Sequence, residues 1–165
     1  MISSGVEEVA YRYNQRGEIS HVYNPDDGAA TALATYTRRK DSLVSRVTFD
    51  SGSSTASNYD LGKRLTVKTH RGRSNNWIDV DAYTYDSRSR RTSHRWGGNV
   101  GDRFQYDAAG QVTGVEHDVA NFRTNNAAFV ADQSFVYDDM GNRESFTVTA
   151  GGASSNVFSL SLIHI

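Results

Sequence analysis

Four aspartates in this chain sit in the same local setting, and a repeated carboxylate can act as a general acid, a base or a cation ligand. They are Asp60, Asp86, Asp107 and Asp138, each directly after a tyrosine; Asn14 holds the position once more. A hard cation wants six or more oxygens around it, whereas this pattern supplies one carboxylate per occurrence and replaces it once by an amide. The five histidines, His21, His70, His94, His117 and His164, have no ligand spacing and read as surface or strand-face residues. There is no cysteine, so thiolate metal sites, disulfides and a cysteine nucleophile are excluded. No Gly-x-Ser-x-Gly elbow, His-Glu-x-x-His pair or phosphate loop is present. No catalytic residue, metal or cofactor is therefore assigned. Trp77 and Trp96, with arginine and asparagine nearby, could offer a face for stacking a sugar ring, although packing is the commoner role of a lone tryptophan.

The elements that carry these aspartates explain them better. Phe104 to Thr113 reads Phe-Gln-Tyr-Asp-Ala-Ala-Gly-Gln-Val-Thr, and the phrase recurs at Tyr11–Ser20, Tyr83–Thr92 and Phe135–Arg143, with a looser copy at Tyr59–Thr66. Residues two apart in a strand share a face, so Phe104 and Tyr106 point one way and Gln105 the other. Aspartate at the first position of a type I turn and glycine at the fourth match the known preferences. The carboxylate accepts from the backbone two residues on, and the glycine takes positive φ and aligns the returning strand. Each phrase is thus a strand, a tight turn and a strand. The recurring residues, Tyr13, Asn14, Gly17, Tyr59, Asp60, Tyr85, Asp86, Tyr106, Asp107, Gly110, Tyr137, Asp138 and Gly141, are assigned to building hairpins.

Departures from the phrase carry their own expectations. Ser89 and Lys63 stand where glycine is wanted, so those turns should be strained or change type. Arg91 and Arg143 replace the apolar residue that Ile19, Leu65 and Val112 supply elsewhere, which suggests a weaker or wetter face there. Buried aromatics, each worth about 1.5–3 kcal/mol, are expected to be the energetic centre of every hairpin. The long interval between Tyr13 and Tyr59 hides a degenerate unit: Leu43–Phe49 alternates as a strand should, and Asp50–Ser54 reads as a turn. The segments 70–76, 97–101 and 117–126 read as irregular outer connections. Ala29–Thr35 is the only alanine-rich candidate for a helix, and it is short.

The fold class read from all this is all-β, a strip of consecutive antiparallel hairpins. Fourteen glycines and one proline agree with many short strands and turns. The net charge of −1 gives no basic surface for nucleic acid. The clusters Arg38–Lys40 and Arg88–Arg91 read as solvated edges. No apolar run approaches the roughly 18 residues of a membrane span, and the first twenty residues do not resemble a signal peptide. Residues 1–158 form one repeat region without a visible linker. Residues 159–165 lack turn residues and the aromatic pair; they read either as translated adapter sequence or as a native closing strand. No polar cap is visible, so the isolated chain is expected to be marginal or self-associating.

The phrase Tyr-x-Tyr-Asp-x-x-Gly-Arg/Asn resembles the YD repeat of the Rhs (rearrangement hotspot) and teneurin family, over most of residues 6–150. Tyr106–Val112 and Tyr137–Arg143 match closely, and Tyr85–Thr92 matches the variant with serine at the glycine position. The resemblance implies a β-hairpin strip winding into a hollow shell. In bacterial relatives, including toxin-complex shell proteins, the shell encloses a C-terminal toxic domain; animal relatives are cell-surface adhesion proteins, and carbohydrate binding has been proposed for the repeat. It implies a secreted or surface-exposed structural segment, whose partners are the remaining repeats and an enclosed effector domain. The alternative is a carbohydrate-binding or adhesive module. The Asp-Pro self-cleavage motif of bacterial shells has no counterpart, since Pro25 follows Asn24. Neither protease nor toxin activity is carried over.

Overall fold

The computed structural model describes residues 8–25, 32–97, 99–117, 119, 131–150 and 153–159. All regular structure among them is β-strand apart from a single 3₁₀ position at Pro25. By its contacts the chain divides into two units, Met1–Val80 and Asp81–Ile165. In the first, β1 (Ala10–Tyr13), β2 (Ile19–Tyr23), β3 (Ala32–Arg38), β4 (Val44–Phe49), β5 (Ser54–Tyr59) and β6 (Leu65–Arg71) pair antiparallel in chain order. Strand β7 (Trp77–Tyr85) crosses the division. Its second half opens the second unit, where β8 (Arg91–Trp96), β9 (Val100–Tyr106), β10 (Val112–His117), β11 (Ala131–Tyr137), β12 (Arg143–Ala150) and β13 (Ala153–Ser159) continue in the same manner. Ala32–Thr35, part of the alanine-rich segment, lies in β3 rather than in a helix. The rest of that segment, 29–31, falls outside the described residues, as do most of 117–126 and residues 160–165.

The turns repeat one geometry. At 107–111, the Gly110 N–H donates to Asp107 O at 3.2 Å and the Asp107 N–H donates to Gln111 O at 3.0 Å. The same pair of bonds closes 14–18, 60–64, 86–90 and 138–142. The fourth residue is left-handed each time: Gly17, Gly110 and Gly141 at φ 76°, 95° and 85°, but also Lys63 at 63° and Ser89 at 64°. So the turns without glycine keep their type and accept the strain. The strand of the degenerate unit is β4, and a turn the sequence does not suggest, 39–43, closes identically ahead of it, with Ser42 at φ 70°. The turn after β4 spans 49–53, one residue earlier than the sequence suggests. The segment 72–76, expected to be irregular, is another copy, with Asn75 at φ 61°. Its residues, Gly-Arg-Ser-Asn-Asn, conceal the pattern by exchanging the aspartate and glycine positions.

A second irregularity lies just beyond six of the turns. Tyr13 pairs with Ile19 but Arg12 pairs with His21, so Ser20 is passed over. Ser45, Thr66, Thr92, Thr113 and Glu144 are passed over in the same way. These are β-bulges, which leave one residue unpaired and increase local twist. The bulge leaves backbone groups short of ladder partners, and the small hydroxyl residue compensates. Ser20, Ser45 and Thr66 each donate to the carbonyl eight residues earlier, on Arg12, Thr37 and Asn58, at 3.1–3.2 Å. Thus the Ser/Thr that follows the apolar position of the phrase has a structural cause that the turn alone does not give.

The expectation of buried aromatics is corrected. Among the described residues only Ala34, Val115 and Val119 are buried hydrophobics. Phe104 and Tyr106 share a face, as expected, and are half-buried, while Gln105 on the other face is exposed. Val115 stands opposite Phe104 across the ladder, and Phe135 opposite Phe146 with rings stacked at 5.4 Å. The strands approach closely at Gly101, where an added Cβ would collide with the His94 carbonyl. Three substitutions test the turn geometry. Gly110→Val should lower stability by about 1–2 kcal/mol because a β-branched residue is forced into the left-handed region, whereas Ala108→Val should change it far less. Ser89→Gly should raise the melting temperature. Thermal melts of the three variants are the measurement.

Candidate functional site

The recurrent aspartates and Asn14 do their work inside their own hairpins. In the turn at 86–90, Asp86 Oδ1 accepts from the N–H groups of Arg88 and Arg90, both at 2.9 Å. Asp138 Oδ1 does the same with Met140 and Asn142, and Asn14 Oδ1 with Arg16 and Glu18. Asp60 and Asp107 accept from the N–H four residues on, at Arg64 and Gln111. The bond four residues on closes the turn beyond the bond two residues on that the sequence suggests. Asparagine can take the place because it offers the same acceptor oxygen.

The other carboxylate oxygen is taken by the residue after the glycine position. Arg64 Nε donates to Asp60 Oδ2 at 2.7 Å, Arg90 Nε to Asp86 Oδ2 at 2.6 Å, and Asn142 Nδ2 to Asp138 Oδ2 at 3.0 Å. At the first turn the polarity is inverted: Asn14 Nδ2 donates to Glu18 Oε2 at 2.7 Å. This explains the Arg/Asn that ends the phrase. These contacts hold the carboxyls below their ordinary range. For Asp60 the largest cause is the Arg64 N–H, and for Asp138 the Asn142 side chain followed by its N–H. For Asp86, burial pushes upward, and the N–H groups and side chain of Arg90, with Arg88, outweigh it. A carboxylate depressed in this way cannot serve as an acid near neutrality.

The motif tyrosines join neighbouring hairpins. Tyr59 donates its hydroxyl proton to Val44 O at 3.0 Å, Tyr106 to Arg91 O at 2.7 Å and Tyr137 to Val112 O at 2.8 Å. Each acceptor is the first residue of the return strand in the hairpin before, beside the bulge. The turns also touch along the rim: Arg88 Nη1 donates to Ala108 O at 2.6 Å, Arg90 Nη1 to Asp107 O at 3.0 Å and Gln111 Nε2 to Gly141 O at 3.0 Å. Arg91 and Arg143 are exposed, as a wetter face at those positions requires, but each lies near aromatic rings. The Arg91 guanidinium lies 4.6 Å from the Tyr83 ring centre, and that of Arg143 lies 5.7 Å from Phe146 and 5.9 Å from Phe135. A cation over an aromatic face is attractive, by about 0.5–1 kcal/mol at exposed sites, so it substitutes for the apolar contact.

The two tryptophans have different settings. Trp77 is 60% exposed, and the Arg71 guanidinium lies 3.9 Å from its ring centre. Trp96 is half-buried, its ring 5.0 Å from that of His94. His94 in turn stacks on Tyr83 at 4.7 Å and bonds Asp81 at 2.7 Å, while His117 bonds Asp102 at 3.2 Å. No group of three or more metal-ligating side chains is gathered among the described residues. No helix among the described residues is long and apolar enough to cross a membrane.

With this geometry in place, comparison with solved structures becomes informative. The Photorhabdus luminescens Tc holotoxin pore superposes with a TM-score of 0.70 at 14% identity, over 92% of this chain and 8% of that one. The TcdB2–TccC3 crystal structure gives 0.70 at 14% identity over 91% and 8%, and TcdB2–TccC3–TEV gives 0.68 at 13% over 87% and 8%. The chain shares its fold with a stretch of these Tc toxin chains. It spans less than a tenth of their length. No family model matches the sequence, and neither does any curated protein.

Two predictions follow from the turn and tyrosine contacts. Tyr137→Phe should cost about 1 kcal/mol, the net worth of one hydrogen bond, measured by denaturant unfolding. The depressed carboxyls of Asp60, Asp86 and Asp138 stabilise the fold above their ordinary value of 3.8. That contribution is lost as pH falls below 3.8 and through the lower folded values, because the unfolded chain then binds more protons. Melting temperature should fall over that range, and Asp138→Asn should shallow the fall.

Proposed function

We propose that this chain is a non-catalytic structural segment of an Rhs/YD-repeat shell, secreted or surface-exposed, which encloses or presents an effector domain encoded further C-terminal. One observation carries the reading: every motif aspartate closes its own turn, and Tyr59, Tyr106 and Tyr137 each bond the hairpin before. Chemistry-bearing residues that are all committed to backbone groups build a wall and are not available to a substrate. The shared fold with the Tc toxin chains supports the same reading, as does the scarcity of buried apolar side chains among the described residues. In this reading residues 1–158 are one run of repeats and 159–165 lie outside it. The neighbouring coding sequence is the test. Further YD units and a variable C-terminal domain are expected there; flanks with neither would overturn the proposal.

A second reading, a carbohydrate-binding or adhesive module, rests on the exposure of Trp77. The Arg71 guanidinium against its ring leaves less of it for a sugar. A glycan array comparing the wild type with Trp77→Ala decides the matter: loss of a signal on substitution supports it, and no signal from either protein removes it.

A further inference from the structure

The turn at 39–43 is one of three, with 49–53 and 72–76, whose first residue is neither aspartate nor asparagine, and of these it alone carries a cation there. Its first position holds Arg39, which has no acceptor with which to close the turn, where Asn14, Asp60, Asp86, Asp107 and Asp138 close theirs. Its fourth position holds Ser42 at φ 70°, where glycine is easiest. The backbone nevertheless folds as elsewhere, with Ser42 N–H on Arg39 O at 3.1 Å. Other contacts hold this turn in place of the aspartate closure: Ser42 hydrogen-bonds the Glu18 carboxylate, and Arg39 pairs with Asp41 and lies 5.7 Å from the Tyr59 ring centre.

The second unit supplies an internal control. There Arg88 Nη1 bonds Ala108 O at 2.6 Å, just as Arg16 Nη1 bonds Lys40 O at 2.7 Å in the first. The receiving turn is Asp107-Ala108 in one case and Arg39-Lys40 in the other. Joining the turns therefore requires neither Arg39 nor Lys40. These two, with Arg16 and Arg38, line a groove of about 460 Å³ beside Tyr36 and Glu18.

The charges in the groove do not cancel. Arg38 Nε lies 4.0 Å from Glu18 Oε2, and Arg39 Nη2 lies 3.2 Å from Asp41 Oδ2. Four cations against Glu18 and Asp41 leave two positive charges in excess. Arg38 is fixed by donation to Ser42 O at 3.0 Å and Ile19 O at 3.4 Å, yet its Nε is buried without a hydrogen-bond partner. Guanidinium groups held in place, with donors to spare, suit tetrahedral oxyanions, which accept two N–H bonds at once.

We infer that this groove binds a ligand carrying two phosphate or sulfate groups, held by Arg16, Arg39 and Lys40 with Arg38 beneath. The test is calorimetric titration of the full 165-residue chain with inorganic pyrophosphate, and separately with a disulfated disaccharide, at low ionic strength. The variant is Arg39→Asn with Lys40→Gln, which reproduces the neighbouring Asn14-Gln15 and restores an acceptor to the turn. Saturable binding by the wild type is expected, weakened roughly tenfold in the variant, equivalent to about 1.4 kcal/mol, with a melting temperature no lower than that of the wild type. Whichever titrant binds more tightly identifies phosphate or sulfate as the natural group. No saturable binding of either by the wild type overturns the inference, as does equal binding by the variant. A marked drop in the variant's melting temperature also overturns it, since the cations would then serve the fold.

Discussion

The constraint on which the rest of this structure depends is the backbone at the ends of the strands. A sheet of short hairpins offers few positions where a side chain is shielded on all sides, and the described residues bury almost no large apolar group. The ladder hydrogen bonds stop at every turn, and the bulges interrupt them again one step later. An unpaired peptide group costs free energy when it is withdrawn from water. The phrase repeated along this chain supplies partners at those points. Aspartate closes the turn, serine or threonine covers the strand opposite the bulge, and tyrosine reaches the carbonyl beside the bulge of the hairpin before.

This view accounts for what was legible in the sequence. The hairpins at Tyr13, Tyr59, Tyr85, Tyr106 and Tyr137 were readable because aspartate and glycine have strong, local and independent reasons to occupy turn positions. The face shared by Phe104 and Tyr106 follows from the two-residue period of a strand. Three features were not readable. The bulge at Ser20 and its relatives depends on register, which one strand alone does not specify. The hydroxyl bond of Tyr137 to Val112 spans 25 residues and requires knowing which strand lies alongside. The turn at 72–76 lacks the expected residues in the expected order, so its geometry comes from the strands it joins. In each case a non-local cause outweighs, or adds to, a local one.

Arginine shows the same lesson from the opposite direction. Read residue by residue, Arg91 and Arg143 look like interruptions of an apolar face. In place, their guanidinium groups lie near Tyr83 and Phe135, rings contributed by adjacent strands, so the face is continued by a different interaction. Arg90 does more: its Nε closes its own turn, its Nη1 holds the next turn, and its plane lies 4.5 Å from the ring centre of Tyr106. A five-donor side chain can serve three neighbours at once, which a lysine, with one compact charge, could not do.

Repetition also separates the residues that build from those that are free to do something else. Within one phrase, position by position, the chain carries its own set of comparisons, each in the same backbone setting. Where all copies agree in chemistry, as at the aspartate, the hydrogen bonds explain the agreement. Where one copy differs and the backbone does not, the difference is not required by the fold. Lys63 and Ser89 differ in this way, but each differs at one position and keeps its aspartate closure. The turns at 39–43 and 72–76 differ at both the closing and the left-handed positions, but only the first brings cations, Arg39 and Lys40, to a groove that already holds Arg16 and Arg38. A ligand of negative charge accounts for these four cations gathered against Glu18 and Asp41.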